Sequence, residues 1–116
     1  MAVGDIIGTY WTPKKDGKIE VFMKGNLYFG KFIWLSAPRK DLKNPSKTLR
    51  GRDVVGLEFL TGFKYADGVY KDGEIYDPEN GKTYSCKMVL EQNKLRVRGY
   101  VGISLLGRTE TFERTK

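Results

Sequence analysis

The sequence predicts an all-β protein, a single antiparallel up-and-down β-barrel of about eight strands, and three observations carry that prediction. Short alternating or aromatic-rich runs recur along the chain, separated by Asp-Gly, Asn-Gly and similar turn pairs. The 116 residues include fourteen glycines and fifteen aromatics, a mixture that suits many short strands joined by tight turns. No ten-residue window combines helical periodicity with end caps. An open eight-stranded sheet would present two bare edges, and closing it into a barrel removes them.

Residues 6–12 read as the first strand, ending at Pro13, which has no amide to give to a ladder. Lys14-Lys15-Asp16-Gly17 turns the chain. In 18–23, Ile19, Val21 and Met23 share one face. Lys24-Gly25-Asn26 leads into 27–35, which holds Tyr28, Phe29, Phe32 and Trp34. That run is apolar on both faces, so periodicity leaves its inward side open. Residues 36–53 differ in character: six Lys or Arg stand against two Asp, with Pro38 and Pro45 and no aromatics. They read as one long basic connection with room for a single helical turn. A connection this long in a compact domain is either a solvated loop or a lid over a site.

The β pattern resumes over 54–63, where Val55, Leu57 and Phe59 alternate. Asp67-Gly68 is a hairpin turn, 69–71 is short, and Asp72-Gly73 marks a break or bulge before 74–77. Asp77-Pro78-Glu79-Asn80-Gly81 holds nearly every residue type a tight turn uses. Pro78 presets φ, the Asp77 carboxylate can accept from the backbone two residues on, and Asn80-Gly81 tolerates positive φ. In 82–90, Tyr84, Cys86, Met88 and Leu90 line one face. Gln92-Asn93 turns into 94–101, where Leu95 and Val97 oppose Arg96 and Arg98, and 108–114 is the last strand.

A chain of this length makes one domain, spanning 1–116, with a core that needs neither disulfide nor metal. The net charge of +7 gives a long-range attraction to nucleic acid, anionic lipid or acidic polymers, or simply a soluble basic surface. The absence of histidine removes the commonest general base, the commonest metal ligand and the Ser-His triad. With a single cysteine there is no disulfide framework and no structural zinc, and Cys86 reads as inert core. Asp77 and Glu79 are explained by the turn they sit in. No phosphate loop, dinucleotide fingerprint or EF-hand spacing occurs. The expectation is therefore a non-enzyme with no catalytic residue, no metal and no cofactor. No run is long and apolar enough for a membrane-spanning helix, and the first five residues lack the features of a signal peptide. The chain is then either a cytoplasmic product or the mature form of an exported one.

Several stretches together resemble a known family: Gly8-Thr9-Tyr10-Trp11-Thr12-Pro13, Gly30-Lys31-Phe32-Ile33-Trp34-Leu35, Asp41-Leu42-Lys43-Asn44-Pro45 and Leu49-Arg50-Gly51-Arg52. So do the run from Gly73-Glu74-Ile75-Tyr76 through the Asp77 turn to Tyr84, Leu95-Arg96-Val97-Arg98-Gly99-Tyr100-Val101-Gly102-Ile103, and Leu106-Gly107-Arg108-Thr109-Glu110-Thr111-Phe112-Glu113-Arg114. The chain resembles the bacterial family called domain of unknown function 2147 over residues 8–114. That resemblance implies a lipocalin-like (calycin-like) barrel, a periplasmic or secreted setting, and no settled activity. It also implies a barrel floor in which an aromatic ring is capped by a basic residue of the last strand. The usual opening there is Gly-x-Trp, whereas this chain has Tyr10 in the third position and Trp11 after it. Neighbouring strand residues face opposite ways, so of Tyr10 and Trp11 the ring in register with Gly8 is Tyr10. Arg114 is the expected cap, with Arg108 as the alternative.

A closed barrel lined by such side chains suits a small hydrophobic or amphipathic ligand. Phe29, Trp34, Phe59, Tyr84 and Met88 are the expected lining, with Arg50 and Arg52 of the basic loop meeting an anionic head group. Two alternatives stand beside it. The aromatics could fill the interior, leaving a protein-interaction role only, or Tyr28–Trp34 with Arg96 and Arg98 could bind single-stranded nucleic acid on the outside.

Overall fold

The computed structural model describes residues 5–103 and 107–115. Eight strands follow in order: β1 (Gly8–Trp11), β2 (Gly17–Lys24), β3 (Leu27–Leu35), β4 (Glu58–Ala66), β5 (Val69–Asp77), β6 (Lys82–Glu91), β7 (Lys94–Tyr100) and β8 (Arg108–Arg114). Each strand pairs antiparallel with the next and β8 returns to β1, closing the barrel. Among the described residues the one helical element is a 3-10 turn, Lys47–Leu49, in the long β3–β4 connection.

Up-and-down order puts alternate connections at opposite ends. The connections 12–16, 36–57 and 78–81, with residues 101–103 after β7, lie at one end, the mouth. The tight turns 25–26, 67–68 and 92–93 lie at the other, the floor, together with Asp5 and Thr115. The turn chemistry is local. Asp67 (φ 51°) and Gly68 (φ 83°) both take positive φ, the signature of a primed hairpin turn whose twist matches the strands. At 77–81 the Asp77 carboxylate accepts from the Glu79 amide at 2.9 Å, and the Asp77 carbonyl accepts from Gly81 at 2.8 Å.

The structure decides the facing of β3. Tyr28, Gly30 and Phe32 point inward, whereas Phe29 and Lys31 point outward. The register with β2 then shifts between Lys18 and Ile19, so that Ile19 faces Phe32 while Lys18 faces Trp34. The extra residue at this bulge, Ile33, reverses the alternation, which puts Trp34 outside and Leu35 back in the core.

Several strand limits differ from those expected. β1 is confined to Gly8–Trp11, although Ile6 is still fully buried ahead of it. β4 begins only at Glu58, because residues 54–57 close a turn in which the Leu57 amide donates to the Val54 carbonyl and Gly56 takes φ 95°. β5 is continuous through Asp72-Gly73: Asp72 takes φ 61° and the register shifts between Tyr70 and Gly73, so this is a bulge and not a break. β7 stops at Tyr100. Met23 does not join Ile19 and Val21 in the core; it lies at the floor end of β2 and is exposed.

The lower half of the barrel is packed solid around Tyr10, Tyr28, Phe63, Tyr70, Met88 and Leu95, all fully buried or nearly so. The rings of Tyr28 and Tyr70 meet edge-on at 5.0 Å.

Candidate functional site

The floor is built from the first and last strands. The Tyr10 ring is fully buried and its hydroxyl donates to the Ile6 carbonyl at 2.7 Å. The Arg114 guanidinium lies 5.0 Å from the centre of that ring. It donates in addition to the carbonyls of Ile7 (3.0 Å) and Asp5 (2.6 Å), so the segment before β1 is drawn across the barrel end. Burial pushes the Tyr10 phenol up to about 12, with the Arg114 charge pulling the other way. Trp11 points outward, meets Trp34 edge-to-face at 6.3 Å and lies 4.6 Å from the Lys18 ammonium. Tyr10 therefore stands in the floor position and Trp11 does not, because adjacent strand residues alternate.

At the mouth the interior opens into a cavity of about 430 Å³, within the range of about 300–1,000 Å³ usual for small-molecule sites. Its base is aromatic: Phe32 and Phe59 stack at 4.1 Å, and Phe112 lies 6.5 Å from Phe59. Leu35, Ile75 and Val97 form apolar walls, and Tyr76 and Tyr84 stand higher up. The rim carries both signs of charge. Arg108 pairs with Glu110 at 3.0 Å, Asp16 accepts from the Thr12 hydroxyl at 2.8 Å, and Asp77 is engaged by its own turn. The side chains of Lys14 and Arg39, also on the rim, have no hydrogen bond or ion pair among the described residues.

The basic connection is pinned beside this cavity by a carboxylate. Asp41 is fully buried and accepts from the Tyr76 hydroxyl (2.6 Å), the Asn44 amide (2.9 Å) and the Arg52 guanidinium (2.9 Å). Burial alone would raise its pKa, but these three donors and the Arg52 charge outweigh it and hold the carboxyl below its ordinary value. Burial and the Asp41 charge push the Tyr76 phenol up. Arg50 donates to the Asn44 carbonyl at 2.7 Å, and Asn44 in turn accepts from the Ser46 amide. On the far side the connection abuts the 77–81 turn: Gly81 has φ 74° and lies so close to the Lys43 carbonyl that a Cβ there would collide with it.

Of the residues expected to contact a ligand, Phe59 and Tyr84 line the cavity. Phe29 and Trp34 do not, because the alternation and the bulge of β3 place both on the outer wall. Met88 is sealed in the packed lower half, opposite Tyr70. Arg50 and Arg52 serve the loop's own hydrogen bonds. Arg39 and Lys14 take the rim positions instead, and the sequence offered no signal to single them out from other lysines and arginines. The outer aromatics are covered by cations: Lys24 lies over Phe29 and Lys31 over Phe22, at 4.5 and 5.2 Å, and these lysines pair with Glu58 and Glu20. Ring faces occupied in this way are poor platforms for stacking bases. Cys86 is buried and its thiol is pushed up to about 12 by that burial. No group of three His, Cys, Asp or Glu placed to hold a metal occurs among the described residues, and none of their helices is long and apolar enough to cross a membrane.

An eight-stranded up-and-down barrel with a cation-capped aromatic floor and an apolar cavity at the other end has the architecture of the lipocalins. The chain belongs to the bacterial family described as "Uncharacterized protein conserved in bacteria (DUF2147)", whose model matches residues 8–114. Among solved structures it is similar to protein HP1028 from the human pathogen Helicobacter pylori, described as belonging to the lipocalin family. The two are 25% identical, with a TM-score of 0.87, over 97% of this chain and 84% of the other. No curated protein matches the chain.

Proposed function

We propose that the barrel is a carrier for one small amphipathic molecule, held without chemical change. The apolar part rests on Phe32, Phe59 and Phe112, and an anionic head group meets Arg39 and Lys14 at the rim. The observation that carries this reading is the pairing of an apolar-based cavity of about 430 Å³ with two rim cations that have no other described partner. Tyr84, whose hydroxyl accepts from Asn80 at 3.0 Å, supplies a further polar contact on the way in. Binding without turnover suits a chain that has no histidine and whose one thiol is buried. A periplasmic or secreted setting goes with this role and follows the family resemblance.

Calorimetric titration with decanoate and decanol tests the proposal. Both are expected to bind saturably. Arg39→Gln should weaken decanoate about tenfold, the cost of losing a partly solvated charged hydrogen bond, and leave decanol unchanged. Val97→Phe, which pushes a ring into the cavity from its wall, should weaken both. Absence of saturable binding by either compound, or binding untouched by Val97→Phe, would sink the reading.

A further inference from the structure

The large apolar side chains that the fold leaves exposed are not scattered evenly. Among the described residues the three most exposed are Leu42 (67%), Val101 (72%) and Ile103 (60%), and all three sit on mouth connections. Trp34, at the mouth end of β3, is 43% exposed, and Leu49 lies on the long connection. At the floor end only Ile7 and Met23 are comparably exposed among the described residues. Leu42 is not on a slack loop: the residue before it, Asp41, is fully buried and held by three donors, and the residue after it abuts Gly81. The anchoring that turns Asp41 inward holds Leu42 outward.

The same end carries the charge. The 36–53 stretch has six Lys or Arg against two Asp, and one of those acids is spent on Arg52 and the other on Lys40. From the β1–β2 connection Lys14 adds to it, while Lys15 is paired with Glu113 at 3.8 Å and Asp16 offsets part of the charge. Aliphatic side chains projecting from a basic rim match the composition of surfaces that seat on anionic lipid, where apolar groups enter the headgroup region and cations rest on phosphates. A second copy of the chain fits worse, since two basic mouths would repel. We propose that the mouth docks on an anionic membrane surface, with Leu42, Val101 and Ile103 inserted and Lys43 and Lys47 of the long connection on the lipid phosphates. The cavity then faces the bilayer. Docking needs no ligand in the cavity, so it and the carrier reading fail separately.

Flotation of the full chain with vesicles tests this. Vesicles of phosphatidylcholine mixed with phosphatidylglycerol should retain the protein at low salt, and phosphatidylcholine alone should not. Raising the salt should release it as the charges are screened. The Leu42→Ser/Val101→Ser/Ile103→Ser variant is expected to bind the mixed vesicles about tenfold less. Ile7→Ser/Met23→Ser, altered at the floor, should bind as the parent does, with circular dichroism confirming that both variants fold. Val97→Phe, with its cavity narrowed, should still dock. No retention on mixed vesicles at low salt would overturn the proposal, and so would equal losses from the mouth and floor variants. Self-association of the parent that the mouth variant abolishes would give the face to a second copy instead.

Discussion

Replacing Asp41 with alanine is expected to destabilise the β3–β4 connection by about 2–3 kcal/mol, below the full cost of orphaning a buried charge because Arg52 remains partly in water. Three donors lose their acceptor at once: the Tyr76 hydroxyl, the Asn44 amide and the Arg52 guanidinium. The barrel ladders do not depend on them, so the loss should appear first as local opening. Amides of residues 40–54 should exchange up to about 100-fold faster, while those of β6 and β7 keep their protection. Uniform acceleration across the barrel would show that the connection is not a separate unit.

The pH dependence has a definite sign. The Asp41 carboxyl lies below its ordinary 3.8 in the folded protein, so its contribution is complete above that value and is lost as pH falls through the folded pKa. Exchange in the connection should therefore accelerate on acidification below the ordinary carboxylate range. Asp41→Asn, which no longer titrates, should show no such step.

The second large effect is expected at Gly81. Gly81→Ala should cost about 2 kcal/mol, combining an unfavourable positive φ with a collision that the backbone must relieve. Here φ is 74° and the obstacle is the Lys43 carbonyl, which is main chain and cannot swing aside. Relief comes only by parting the 77–81 turn from the connection. Chemical denaturation of the single variants and of Asp41→Ala/Gly81→Ala gives a mutant cycle. The double variant should lose less than the sum, because both changes free the same segment. Strict additivity would mean that the two contacts hold different things.

These features differ in how far the chain announces them. Short-range ones were readable: Asp77 accepts from the amide two residues on, as an Asp opening a turn does, and Asp67-Gly68 supplies the two positive φ values its hairpin needs. The closed eight-stranded order followed from those turns and from the problem of bare edges. The inward choice of Tyr10 over Trp11 was readable too, since it needs only alternation from Gly8. Alternation failed at β3, where one extra residue, Ile33, carries Trp34 to the outside, and nothing in the apolar stretch 32–35 marks a bulge. Phe29 was lost as lining for a simpler reason: the run offers two equally apolar faces. Asp41 was hidden most deeply. In a stretch rich in lysine and arginine an aspartate reads as solvated, and its burial depends on Tyr76, thirty-five positions away. Arg50 and Arg52 looked available for a ligand because the carbonyl and carboxylate that engage them become neighbours only when the connection folds.

The segment before β1 and the residue after β8 are held side by side. The Thr115 amide donates to the Thr9 carbonyl at 3.0 Å, and Arg114 gathers in the carbonyls of Asp5 and Ile7 beside it. Asp5 and Thr115 thus lie together at the floor, the pole opposite the mouth. A spectroscopic label carried on either residue would report from the floor and leave the opening clear.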